Sequence, residues 1–170
     1  MKNINFYTII LLFTVCTSAL FSCKYNEGYE AVNVENKFSI SVPNWMKKVD
    51  DLKPGAGFQY ANRYRNFYAI GTVDTKQKPV AEVMNDNLNI LRKSLKGPVI
   101  SDSTNVTLGG LEGLRVEIYG KMDDENIYFS EVVLEGPAAV YHLSVWTRGE
   151  DRKLHLKETI NYILNSFKTI

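Results

Sequence analysis

Histidines, cysteines, and serines within reach of a carboxylate are the residues of this 170-residue chain that could carry reactive chemistry. His142 lies in an alternating run, residues 140–147, with Ser144 two places on. A neighbouring run, residues 127–134, carries Ser130, and the run before it carries Glu117. Paired as strands, these bring serine, imidazole and carboxylate together, the grouping an acyl-transfer site needs. No Gly-x-Ser-x-Gly elbow accompanies them, and strand serines are seldom activated, so no catalytic residue and no enzymatic activity are expected. His142 and His155 sit on separate elements without metal-ligand spacing. Asp123-Asp124-Glu125 lacks the spaced oxygen ligands and glycine of a Ca²⁺ loop and reads as a solvated hairpin tip. No metal and no cofactor are expected.

The remaining chemistry is a thiol at the end of an apolar leader. Lys2 is followed by residues 4–15, mostly Ile, Leu, Phe and Val, then by Thr17, Ser18 and Ala19, and the uncharged run closes on Cys23. This is the layout of an export signal. Leu20-Phe21-Ser22-Cys23 resembles the lipobox of bacterial lipoproteins, although Phe21 stands where a smaller residue is usual. The resemblance implies cleavage before Cys23 and attachment of a diacylglyceryl group, with further acylation such as palmitate, to that residue. Two other outcomes compete: ordinary cleavage after Ala19, or retention of the uncharged residues 4–21 as an anchor near the lower length limit for spanning. An intact mass of membrane-extracted protein without acyl groups removes the lipid anchor. Cys16 is lost with the leader, which leaves no disulfide and no catalytic thiol in the mature domain.

Cleavage before Cys23 leaves 148 of the 170 residues, a single-domain size. Loss of Lys2 balances 19 basic against 19 acidic residues, without a basic stripe, which argues against nucleic acid as a partner. The expected organisation is a signal peptide over 1–22, a lipidated cysteine and linker over 23–30, and one domain over 31–170. The linker-like stretch from Lys24 to Glu30 reaches about 23 Å when extended.

Within the domain, residues 38–42 alternate apolar and hydroxyl side chains, the period of a half-buried strand ended by Pro43. Residues 58–62 and 67–74 read as two more strands. Pro79 stands at a first helical position, and Val80, Met84, Leu88, Leu91 and Leu95 form one helix face that stops at Gly97-Pro98. Three long strands follow over 114–119, 127–134 and 140–147, turned at the tip Met122-Asp123-Asp124-Glu125 and at Gly136-Pro137. A closing helix, capped near Asp151, buries Leu156, Ile160, Ile163, Leu164 and Phe167. The aliphatic helix stripes read as core faces.

If residues 136–138 make a three-residue loop, Val132 faces His142, Ser130 faces Ser144 and Tyr128 faces Trp146. One sheet face then carries Arg115, Glu117, Tyr119, Tyr128, Ser130, His142, Ser144 and Trp146, and the other carries apolar residues, Phe129 among them. Tyr119, Tyr128, His142 and Trp146 become the candidate interaction face, since Tyr and Trp combine contact area with a polar handle. The competing reading is a face covered by a helix, with its aromatic residues paired across strands as sheet stabilisation.

Phe38-Ser39-Ile40-Ser41-Val42-Pro43-Asn44-Trp45 resembles the opening strand-Pro-x-Trp of PsbP-like domains. Val106-Thr107-Leu108-Gly109-Gly110-Leu111-Glu112-Gly113 resembles their mid-chain strand and glycine turn, and Ser166-Phe167-Lys168 their C-terminal ending. The resemblance spans most of residues 32–168. It implies an α+β fold, an α-β-α sandwich around a central twisted antiparallel sheet. It also implies a protein-binding role without shared catalytic residues, and a DcrB-like, envelope-lipoprotein branch.

The resulting expectation is an envelope lipoprotein held to the membrane by its lipid, with a non-catalytic domain that contacts an envelope protein partner. The outer membrane is favoured over the inner, because Lys24 rather than Asp follows the cysteine. The alternative function is a carrier or sensor of a small apolar ligand in a pocket between sheet and helix. Asp102-Ser103-Thr104 also resembles the short O-glycan acceptor motif of Bacteroidetes envelope proteins, and Asn105-Val106-Thr107 fits an N-glycan sequon.

Overall fold

The computed structural model describes residues 28–149 and 152–170. The leader, Cys23, most of the linker and Asp151 lie outside the described residues. The elements are β1 (Tyr29–Val34), β2 (Phe38–Pro43), β3 (Lys47–Lys48), β4 (Phe58–Asn62), β5 (Phe67–Thr75) and α1 (Val80–Ser94). They continue as β6 (Lys96–Ile100), β7 (Thr104–Leu108), β8 (Leu111–Met122), β9 (Glu125–Glu135), β10 (Ala139–Arg148), α2 (Arg152–Asn165) and β11 (Lys168–Thr169). Among the described residues, β3-β4-β5-β10-β9-β8-β6 form one sheet, with β7 also paired to β8, and β1-β2-β11 form a second. Every pairing is antiparallel.

Period decides which faces close. In β2, Phe38, Ile40 and Val42 are buried, while Ser39 and Ser41 between them are half-buried. In α1, Val80, Met84 and Leu88 recur every four residues and pack with Val116, Ile118, Ile127, Phe129 and Val133 on one face of the large sheet. Ile160, Ile163 and Leu164 of α2 pack, with β2 and Phe167, on Val132, Leu134, Leu143 and Val145 of the other face. The small sheet therefore extends the α2 layer, and the class is α+β with a helix on each face. Gly71 lets the two sheets meet: a Cβ there would lie 3.2 Å from the Phe38 ring and 3.1 Å from Leu143.

The β8–β9 hairpin turns on Asp123 and Asp124, both at positive φ (52° and 66°), as a type I′ loop requires. The next hairpin departs from expectation. Glu135 pairs with Val140, so the loop holds four residues, 136–139, closed by the Gly136 N–H donating to the Ala139 carbonyl at 2.8 Å. His142 consequently faces Val133, Ser144 faces Glu131 and Trp146 faces Phe129. The one-residue slip turns β10 over relative to β9.

Three smaller corrections have local causes. Tyr29 and Glu30, read as linker, already pair with Pro43 and Val42. Pro79 is the N-cap rather than the first helical residue, with ψ at 148°. Gly97-Pro98 does end the helix, but both belong to β6, an edge strand whose register breaks between Lys96 and Val99. Edges and bulges are where a strand tolerates proline.

Candidate functional site

The flipped β10 divides the predicted interaction face. Tyr119 and Tyr128 stay together on the α2 side, ring centroids 5.0 Å apart. They share that side with Arg115 and Glu117, whose charged groups are 3.7 Å apart, and Arg115 donates to Asn161 of α2 at 2.7 Å. Tyr128 is 3% exposed, and burial, followed by the Glu117 carboxylate, pushes its phenol up to about 12. Ser130 is fully buried on this side. The covered reading therefore holds for the β8–β9 half of the predicted face.

His142 and Trp146 lie on the opposite side, where α1 packs. There Glu131 is 2% exposed, and both its oxygens are taken. One accepts from Ser144 Oγ, and the other meets His142 Nε2 at 2.5 Å. Expectation placed His142 beside Glu117 and Ser130. The structure places it beside Glu131, the buried carboxylate between Phe129 and Val133 on that side of β9, where Glu125 and Glu135 at the strand ends are exposed. The sequence held a signal for this pairing: a buried carboxylate needs donors, and Ser144 and His142 supply them only in the observed register. The group is not a nucleophile–base pair, because Ser144 is bonded to the carboxylate and the imidazole to the carboxylate's other oxygen. His155 is exposed on α2.

Beside this cluster the sheet is only partly covered. Tyr68 of β5 stacks on Trp146 at 5.2 Å and 15°, and Trp146 stacks on Phe129 at 5.5 Å and 26°. Tyr68, Ile70, Thr72 and Trp146 are half-buried on this face. Val83, Asn87 and Ile90 run along the adjoining flank of α1, since positions three and four apart share one side of a helix. Ile90 is exposed, and the Asn87 Nδ2 is buried without a hydrogen-bond partner. On the far side, Gln59 takes the N–H groups of Leu52 and Lys53, each at 3.0 Å, and fixes the 49–57 loop. Tyr68 and Trp146 therefore form a half-buried aromatic face, with Trp146 and Val83 of α1 bordering the same apolar cluster. Tyr68 was not a predicted site residue: its place beside Trp146 depends on β5 pairing with β10, which no local pattern encodes.

Grooves elsewhere suit an apolar ligand poorly. One of about 500 Å³, beside Pro79-Val80-Ala81, is walled by Glu112 and Glu135 as well as Val106 and Leu114. Both sheet–helix interfaces hold packed side chains. Ser103 and its neighbours are exposed before β7, so the glycan motif is accessible.

No protein-family model matches the sequence, and the search of curated proteins returned no match. Solved structures do match. The solution structure of the cyanobacterial PsbP protein, CyanoP, from Synechocystis sp. PCC 6803 superposes with a TM-score of 0.62 at 14% identity, covering 89% of this chain and 99% of that one. LpqN of Mycobacterium tuberculosis, described as involved in cell envelope biogenesis, gives 0.59 at 16% identity, covering 84% and 90%. The Ran-binding protein Mog1p of Saccharomyces cerevisiae gives 0.57 at 12% identity, covering 84% and 95%. At these identities the likeness establishes the fold, which is PsbP-like, and nothing finer.

Proposed function

We propose that this chain is an envelope lipoprotein, anchored through Cys23, whose PsbP-like domain is a non-catalytic module for binding a protein partner. The observation that carries the binding role is the Tyr68–Trp146 ring stack, left half-buried over the buried Phe129 at the edge of the α1 cluster. Large rings with polar edges at a partly desolvated surface are the residue types that anchor protein interfaces. Trp146 and His142 are retained from the predicted face. Tyr119 and Tyr128 belong to the packing beneath α2.

Two likenesses support the reading. LpqN is described as an envelope-biogenesis protein and Mog1p as a Ran-binding protein, so this fold serves both settings. We place the chain in the envelope, DcrB-like branch on its leader and Cys23, with the outer membrane as its location. The carrier alternative has no observation in its favour among the described residues.

The test is site-specific photocrosslinking in intact cells. A crosslinker replacing Tyr68 should trap one reproducible envelope protein, and Trp146→Ser should abolish the adduct. A crosslinker replacing Lys168, on the opposite layer, should not trap it. Identical adducts from both positions, or adducts that survive Trp146→Ser, overturn the assignment of this aromatic face. Intact mass tests the anchor separately, with Cys23→Ala expected to remove the acyl increment.

A further inference from the structure

The chain enters the domain at one end of the sheet, and that end carries an exposed aromatic ring among cations. Gly28 accepts the Asn44 N–H at 2.9 Å, and a Cβ on Gly28 would lie 2.4 Å from the Asn44 side chain. Trp45 follows, and its carbonyl accepts from Asn62 Nδ2 at 2.7 Å. The Asn62 side-chain oxygen in turn accepts the Arg65 N–H at 2.9 Å, and the Arg65 guanidinium lies 4.6 Å from the centre of the Trp45 ring. Gly28 is thus joined, contact by contact, to the β4–β5 turn.

On that turn Tyr64 is 93% exposed between Arg63 and Arg65. Lys47 and Lys48 are exposed on the adjoining edge strand β3. Residues 44–66 hold five basic and two acidic side chains, in a mature chain whose charges balance overall. One of the acids, Asp51, bonds Arg63 in an exposed pair at 2.5 Å. The second hairpin at this end, Asp123-Asp124-Glu125, is matched by its own cations. Arg148 meets Asp123 and Glu125, and Lys96 meets Asp124. Residues 44–66 therefore carry a net charge of +3 in the stretch that holds Tyr64.

We propose that the Arg63-Tyr64-Arg65 turn, with Lys47 and Lys48, docks on the anionic headgroups of the membrane that holds the chain. The proposal rests on lipid attachment at Cys23. The five residues from Cys23 to Gly28 span at most about 18 Å, so the anchored lipid keeps this end within reach of the surface. Tyrosine settles at headgroup depth, and clustered Lys and Arg are drawn to anionic lipid. The tether and the turn together would fix the orientation of the domain and leave the Tyr68–Trp146 face free for a partner.

The test uses the full chain, reconstituted in phosphatidylcholine vesicles with or without 30 mol% phosphatidylglycerol, with Tyr64→Trp as a depth reporter against the parent protein. With phosphatidylglycerol, the added indole should shift to the blue and be quenched by brominated lipid. Salt at 0.5 M should reverse both changes, because surface charges are screened. Arg63→Glu with Lys47→Glu should weaken contact about fivefold per cation, and Lys47→Glu with Lys48→Glu repeats the test without breaking the Arg63–Asp51 pair. Chain that sediments with the vesicles while its added indole ignores brominated lipid in both compositions overturns the docking turn. Contact equally strong without phosphatidylglycerol or in high salt also overturns it, since anionic headgroups would then not be the ligand. A chain without acyl mass defeats the anchor alone, and the salt-sensitive quenching on anionic vesicles then decides the turn by itself.

Discussion

Removing the imidazole of His142 should destabilise the domain by about 3 kcal/mol. Glu131 is 2% exposed and has two partners, Ser144 and His142, with the imidazole 2.5 Å away. Breaking a buried pair by removing one partner costs roughly 3–5 kcal/mol, and here it leaves the buried Glu131 carboxyl with one donor instead of two. His142 is 8% exposed, so the space vacated in His142→Ala lies near solvent. Water entering it restores part of a charged hydrogen bond, itself worth about 1.5–3 kcal/mol, which moves the expectation to the lower end. The assay is equilibrium urea unfolding. With a slope of about 2 kcal/mol/M the midpoint should fall by roughly 1.5 M at constant slope. Glu131→Gln, combined with His142→Ala in a double-mutant cycle, should show coupling above about 1 kcal/mol. Additive losses in that cycle refute the argument and the β9–β10 register with it. With Val132 opposite, His142 would face away from Glu131 and the two could not couple.

Other outcomes follow from single distances and angles. Tyr128 should be the late-titrating tyrosine: its tyrosinate absorbance should rise near pH 12 and disappear from the titration in Tyr128→Phe. Its folded value lies above the unfolded value, so the stability it contributes is complete below about pH 10 and is lost as pH rises through 12. Gly113→Ala should cost about 3 kcal/mol, since the new Cβ would lie 2.1 Å from the Val133 carbonyl oxygen and 2.8 Å from Leu134 Cα. Gly71→Ala meets its neighbours at 3.1–3.3 Å and should cost about 1 kcal/mol in the same denaturation assay. Asp124→Gly should raise the unfolding free energy by roughly 0.5 kcal/mol, because glycine adopts the 66° φ of the turn without strain and the exposed Lys96 pair contributes little.

The elements readable from sequence are those with one wet face. Phe38, Ile40 and Val42 alternate with serines, and Val80, Met84 and Leu88 recur at helical spacing, so burial leaves its period in the chain. β1 escaped notice because an edge strand of Tyr, Glu, Ala, Val and Asn is half-exposed and reads as linker. β6 escaped because Gly97-Pro98 is a stop signal for the helix and also part of a bulged edge. Of the candidate site, Trp146 and His142 were legible as types, and their neighbours were not.

The amino-acid order alone determined the apolar leader ending at Cys23, the helix stripes, the two-aspartate turn and the α+β class. Each is local, written in residues a few positions apart. The tertiary structure decided which side of the sheet β10 shows. β9 is buried on both faces from Ile127 to Leu134, so its sequence carries no alternation to set a register, and one extra loop residue reverses every side chain that follows. That choice pairs Glu131 with His142, brings Tyr68 to Trp146 and separates both from Tyr128. It is made by the cost of an unpartnered buried carboxylate, a quantity that exists only once the strands have met.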